Sequence, residues 1–137
     1  MTIDEIQNEI AADFKKHGNW FEKRKYLIQI GKSASPCARA RASGDNLIRG
    51  CQVSTWFYSE SKDGKMFYEI DSDSGIVKGI AVLLARIFSG QIPQDIILSD
   101  LKFVADAGLE EDFSPVRANS VLKIVGRIKE TAAASLR

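Results

Sequence analysis

The chain has 137 residues, 45% hydrophobic and 27% charged, with three Pro and ten Gly. That length supports one hydrophobic core, and the composition excludes disordered and fibrous classes. Nineteen Lys and Arg against eighteen Asp and Glu leave a net charge of +1, so no general affinity for nucleic acid or anionic membrane is expected.

Two acids stand among the first five residues and MTIDEIQNEI holds no apolar signal core, so neither secretion nor a transit peptide is expected and the expected compartment is the cytoplasm. Thr2 precedes Glu5 by three residues in a capping-box pattern, and Ile3, Ile6, Ile10 and Phe14 recur at helical spacing. A helix is expected to about Lys16, stopped by Gly18. Asn19 and Glu22 repeat the pattern, and Phe21, Tyr26, Leu27 and Ile30 supply apolar positions before Gly31 ends a second helix.

From Lys32 to Gly50 the residues are small and polar, with Pro36, Gly44 and nothing apolar larger than Ala or Cys before Leu47. A long connection of this kind is expected to be functional or mobile, and it leads directly to Cys51. Gln52 to Glu60 then alternates β-formers, Val53, Thr55 and Phe57 on one face and Ser54, Trp56 and Tyr58 on the other. Lys65 to Asp71 is a second run, with Phe67 opposite Met66, Tyr68 and Ile70. Lys62-Asp63-Gly64 between them carries a turn signal, so the runs are expected to pair as an antiparallel hairpin.

Asp71-Ser72-Asp73-Ser74 offers several N-caps for GIVKGIAVLLARIF, whose apolar residues cover most of a helix circumference and mark it as the most buried. Its apolar run, Ile76 to Phe88, is shorter than the roughly 18 residues of a spanning helix and contains Lys78 and Arg86. Gly90 and Pro93 break the pattern, short helical turns follow from Asp95 to Asp106, and Ser114-Pro115 opens a last helix with Leu122, Val125 and Ile128 inward. No repeat or linker interrupts the chain.

Few residues carry chemistry. Cys51 lies where the polar loop becomes a strand, and between Lys32 and Arg49 four basic residues (Lys32, Arg39, Arg41, Arg49) face one acid, Asp45, a setting that favours thiolate over thiol. The plain alternative is a small buried hydrophobe at the start of a strand. Cys37 reads as an exposed bystander or a resolving thiol, and His17 as a surface or capping residue at a helix end. Arg117 falls on the third residue of the last helix, where the macrodipole prefers an acid; it either pairs with Glu110, Glu111 or Asp112 or serves a site or partner surface. Two Cys and one remote His do not make a zinc set, and no phosphate-binding glycine motif occurs.

Asn46 to Phe57 (NLIRGCQVSTWF), DSDSGIVKGIAVLLARIF and SPVRAN together resemble the SufE family, sulfur-acceptor proteins that assist cysteine desulfurases in iron–sulfur cluster assembly. The likeness runs over nearly the whole chain, with Ile92-Pro93-Gln94-Asp95-Ile96 similar to the family's connecting segment. It implies a single SufE-like domain over 1–137, an α+β, two-layer, SufE/NifU-like fold with a small antiparallel sheet of three strands, two of them located above. It implies that Cys51, flanked by Gly50 and Gln52, is the persulfide acceptor, and that Arg117, Asp71 and Asp73 support the cysteine loop, the two acids first as helix caps and then in partner recognition. The implied partners are a pyridoxal-phosphate cysteine desulfurase and an iron–sulfur scaffold, with a second copy of the chain as a further candidate and neither nucleic acid nor membrane. No cofactor or metal of its own is implied; the pyridoxal phosphate belongs to the desulfurase.

The sequence departs from the family pattern in four places. Val53-Ser54 replaces the usual Ser-Gln after Gly-Cys-Gln, Asp112 stands where His is common, Arg39 and Arg41 occupy a loop that is usually acidic, and Cys37 is peculiar to this chain. The competing functions on the same fold are a cluster scaffold, which wants about three thiolates and another donor, and an adaptor that needs no thiol.

Overall fold

The structure, a computed structural model, describes residues 1–35, 37–110 and 113–137. Helix α1 (Ile3–Lys15) begins with the expected capping box: Thr2 Oγ1 accepts from the Glu5 amide at 3.1 Å and Glu5 Oε1 from the Thr2 amide at 2.9 Å. Its stripe Ile3, Ile6, Ile10 and Phe14 is buried. Helix α2 (Trp20–Ser33) is capped by Asn19, which accepts from the Glu22 amide at 2.9 Å, and it runs through Gly31 instead of ending there. Gly31 is buried where α2 meets α4 (Gly75–Phe88): a Cβ on it would stand 3.0 Å from the Gly79 nitrogen. Its missing side chain serves a helix crossing at backbone distance, not a C-cap.

Strands β1 (Thr55–Lys62) and β2 (Lys65–Ser72) pair antiparallel, from Thr55 opposite Ser72 to Lys62 opposite Lys65. Asp63 and Gly64 have φ of 54° and 77°, the left-handed pair that a two-residue hairpin loop requires. Among the described residues the sheet has two strands. In place of the expected third, Leu47 makes a single-residue bridge to Trp56, with the Ile48 amide donating to the Thr55 carbonyl at 2.9 Å. The β1 strand begins at Thr55 rather than Gln52, which leaves residues 52–54 as a connection.

Helix α4 lies across β2 and contributes Ile80, Ala81, Leu84 and Ile87, all fully buried, to one cluster shared with α1, the hairpin and the C-terminal helix. Helices α5 (Pro93–Leu98) and α6 (Phe103–Asp106) follow, and α7 (Pro115–Ala134) starts at Ser114, whose Oγ accepts from the Arg117 amide at 3.3 Å. The inward face of α7 is Val121, Ile124, Ile128 and Ala132. Leu122, expected inward, lies one residue off that stripe and is 72% exposed.

The described residues of the polar stretch, expected to be functional or mobile, include regular structure. Helix α3 (Ala38–Arg41) and a 3-10 turn (Gly44–Asn46) lie in it, held to the hairpin by Arg39 to Glu60 at 2.9 Å and by the Ala40 amide to Glu69 Oε2 at 2.6 Å. Among the described residues no helix is long and apolar enough to cross a membrane.

Candidate functional site around Cys51

Gly50 has φ of 87°, in the left-handed region that side chains avoid, and this turn delivers Cys51 at the end of the loop. Helix α7 holds the turn from one side. Asn119 Nδ2 donates to the Gly50 carbonyl at 3.0 Å, and a Cβ on Gly50 would meet Lys123 Cε at 3.2 Å and its Nζ at 3.4 Å. Cys51 is half-buried, packed with Val53 against the core, and Gln52 is exposed beside it. The connection to β1 is tied down by its backbone: the Ser54 carbonyl accepts from the Asp73 amide at 3.0 Å and from Ser72 Oγ at 3.2 Å. The Val53-Ser54 departure therefore leaves main-chain contacts to hold this segment.

Asp71 is buried and Asp73 exposed, and neither caps α4; Ser74 does, accepting from the Val77 amide at 3.4 Å. The two acids instead grip Arg41. Asp71 pairs with the Arg41 guanidinium, with the Ser72 amide at 2.8 Å and with Lys78 Nζ at 3.3 Å, while Asp73 reaches Arg41 at 3.0 Å. Burial pushes the Asp71 carboxyl up, but the hydrogen bonds from Arg41, the Ser72 amide and Lys78 outweigh it and hold its pKa below the ordinary carboxylate value. The Arg41 guanidinium also lies 3.9 Å over the Trp56 ring. Arg39 and Arg41 are thus committed to Glu60, Asp71 and Asp73. Among the described residues Lys32 and Arg49 are the basic residues of that stretch without an ion-pair partner, and α7 brings Lys123 against Gly50.

Cys37 is neither exposed nor a surface bystander. It is 9% exposed, and its thiol donates to the Ile70 carbonyl at 3.5 Å on the edge of β2. Burial pushes this thiol up, and the Asp71 and Glu69 carboxylates add to the shift, so Cys37 is protonated at neutral pH. His17 stacks on Tyr26, ring centroids 4.5 Å apart. Arg117 is half-buried in the first turn of α7, and among the described residues no carboxylate lies within 4 Å of it, Glu110 included. Glu111 and Asp112 lie outside the described residues. Asn119 and Lys123 were not legible as site residues, because only the facing of α7 in the fold turns their four-residue spacing toward Gly50.

A family model described as SufE, Fe-S metabolism associated domain, matches residues 8–132. The chain belongs to the SufE family. Membership associates it with iron–sulfur metabolism, and the Gly50-Cys51-Gln52 turn lies inside the matched span. A solved structure described as the solution structure of a hypothetical protein from Thermus thermophilus is 20% identical over 96% of both chains, with a TM-score of 0.73. At that identity the likeness is one of fold, and it places this SufE-family chain in an α+β architecture that the Thermus protein shares.

Proposed function

We propose that this SufE-family protein carries sulfur for iron–sulfur cluster assembly, with Cys51 as the acceptor. The observation that supports it best is the contrast between the two thiols. Cys37 is buried against the sheet edge, whereas Cys51 is half-buried on a glycine turn braced by α7.

In this reading the Cys51 thiolate attacks the outer sulfur of a persulfide on a pyridoxal-phosphate cysteine desulfurase. The new S–S bond forms at Cys51, the donor's S–S bond breaks, and the donor cysteine leaves as a thiolate, so no net oxidation occurs. Removing that sulfur frees the desulfurase for another turnover, which accounts for stimulation. The Cys51 persulfide then hands its outer sulfur to a cluster scaffold by the same exchange. Gly50 shapes the turn, Asp71 and Asp73 hold α3 through Arg41, Gln52 is the exposed neighbour, and Arg117 lies in the first turn of the helix that braces it.

Among the described residues no three His, Cys, Asp or Glu side chains are placed to share a metal ion, whereas a cluster scaffold wants about three thiolates and another donor. The test is intact-mass analysis of wild type and Cys51→Ser after incubation with a cysteine desulfurase and cysteine. A gain of about 32 Da per sulfur at the Cys51 peptide, absent in the variant and reversed by reductant, is expected. Undiminished stimulation of the desulfurase by Cys51→Ser would instead support an adaptor that needs no thiol.

A further inference from the structure

A cleft of about 440 Å³ opens beside the Cys51 loop, between residues 45–49 and α7. Arg49, Lys123 and Arg127 line it against two acids, Asp45 and Glu130. Among the described residues none of these five charges has an ion-pair partner within 4 Å, whereas Arg39, Arg41, Lys78 and Arg86 are all paired. Arg127 Nε is buried without a hydrogen-bond partner, and its guanidinium lies 5.1 Å from the Phe57 ring centroid. Asn119, Lys123 and Arg127 recur every four residues along α7. The first holds the Gly50 carbonyl, the second lies against Gly50, and the third carries the row into the cleft. Leu122 and Leu47, 72% and 38% exposed, also line it.

We infer that this cleft docks an acidic segment of the protein that donates sulfur to Cys51, a carboxylate entering among Arg49, Lys123 and Arg127 and an apolar neighbour seated on Leu47 and Leu122. The inference rests on the sulfur-carrier reading and names the chemistry of its partner surface. The balance of charge on the walls is positive, and a guanidinium stacked on an aromatic ring with no acceptor is suited to a carboxylate. Leucines left exposed beside the cations suit an apolar side chain of a protein partner, and a free anion has no use for them. Asp45 and Glu130 leave the walls an excess of one positive charge, enough for a carboxylate placed among the three cations but not for a run of phosphates. Arg49 directly precedes Gly50, so a segment seated here brings its protein within a residue or two of the thiol.

The test measures binding in the Cys51→Ser chain, where no sulfur chemistry intervenes, against a pyridoxal-phosphate cysteine desulfurase, whether or not that enzyme loads wild-type Cys51. Adding Arg49→Glu and Lys123→Glu is expected to weaken binding about tenfold or more and to flatten its salt dependence, since exposed charges are screened over roughly 10 Å at 0.1 M salt. Lys62→Glu with Lys65→Glu, an equal charge change on the hairpin tip, is expected to bind as the parent does. Arg49→Lys with Lys123→Arg is expected to retain binding and shows that the positions tolerate substitution. Equal binding by the cleft reversal and the parent, equal weakening by the hairpin reversal, or no measurable binding by the parent overturns the inference. Sulfur on Cys51 is read separately by mass, so a chain that binds through the cleft yet accepts no sulfur defeats the carrier reading alone.

Discussion

The Asn119 side chain donates to the Gly50 carbonyl at 3.0 Å, joining the last helix to the residue that precedes Cys51. Sixty-nine residues separate the two in the chain, so this bond exists only when α7 is docked. It fixes the peptide that aims Cys51, at a glycine whose φ of 87° gives the turn no side chain of its own to hold it.

Asn119→Ala is therefore expected to loosen the turn more than it destabilises the fold. Loss of one exposed hydrogen bond costs about 0.5 kcal/mol, roughly 2 °C in the thermal midpoint of a chain this size. Hydrogen exchange at residues 50–52 and alkylation of Cys51 by iodoacetamide are expected to quicken severalfold, with exchange in α4 unchanged. A Cys51 alkylation rate equal to that of wild type would show that the bond does not hold the loop.

The two cysteines should differ sharply toward a thiol reagent. Cys51 is half-buried on a turn, while Cys37 is enclosed, bonded to the Ile70 carbonyl and held protonated by burial and by Asp71 and Glu69. At pH 8 one thiol is expected to react quickly with Ellman's reagent and map to Cys51, with Cys37 slower by about a hundredfold until denaturant is added. The sign of the linkage follows from the raised folded value. The Cys37 contribution to stability is complete below the ordinary thiol pKa and is lost as pH rises through the higher folded one. Cys37→Ser should therefore flatten the alkaline side of the stability profile; an unchanged alkaline limb would count against the shift.

Acid should act through Asp71. Its folded pKa lies below its unfolded value, so it stabilises fully above about pH 4 and its contribution disappears as pH falls through the folded value. Replacing it by Asn removes the charge that Arg41 and Lys78 pair with and is expected to cost about 2 kcal/mol, discounted for the partly exposed arginine. Measured from pH 7 to pH 2, the wild-type stability should approach that of Asp71→Asn at the acid end. Parallel curves over the whole range would place the acid sensitivity elsewhere.

Much of the architecture was legible because it is locally encoded. Thr2 with Glu5, Asn19 before Glu22, Asp63-Gly64 and Ser114-Pro115 each satisfy backbone groups within a few residues, and each element starts or turns where they stand. The Gly-Cys-Gln tripeptide singled out Cys51, but the left-handed turn at Gly50 that carries it is visible only in the fold. The long-range pairings were not legible. Arg41 to Asp71 spans thirty residues and makes a pinned helix of a stretch whose composition suggests a structureless loop, and the same pairing diverts charge that composition assigns to the cysteine. Gly31 shows the ambiguity most plainly, because a glycine near a helix end serves equally as a cap or as a crossing point, and only the position of Gly79 decides.

The glycines that read alike in sequence should part company when given a methyl group. On Gly79 a Cβ would collide with the Leu27 carbonyl and stand 2.9 Å from Leu27 Cγ, so relief requires α2 and α4 to separate, and Gly79→Ala is expected to cost about 3 kcal/mol or more. Gly126 also sits inside a helix, but a Cβ there meets nothing within 4 Å, and the consequence is better helix propensity. Gly126→Ala is expected to stabilise by about 0.5–1 kcal/mol. Chemical denaturation of the two variants tests both signs: opposite shifts in midpoint with similar slopes are expected, and a Gly79→Ala chain as stable as wild type would mean that the helices do not cross at backbone distance in solution.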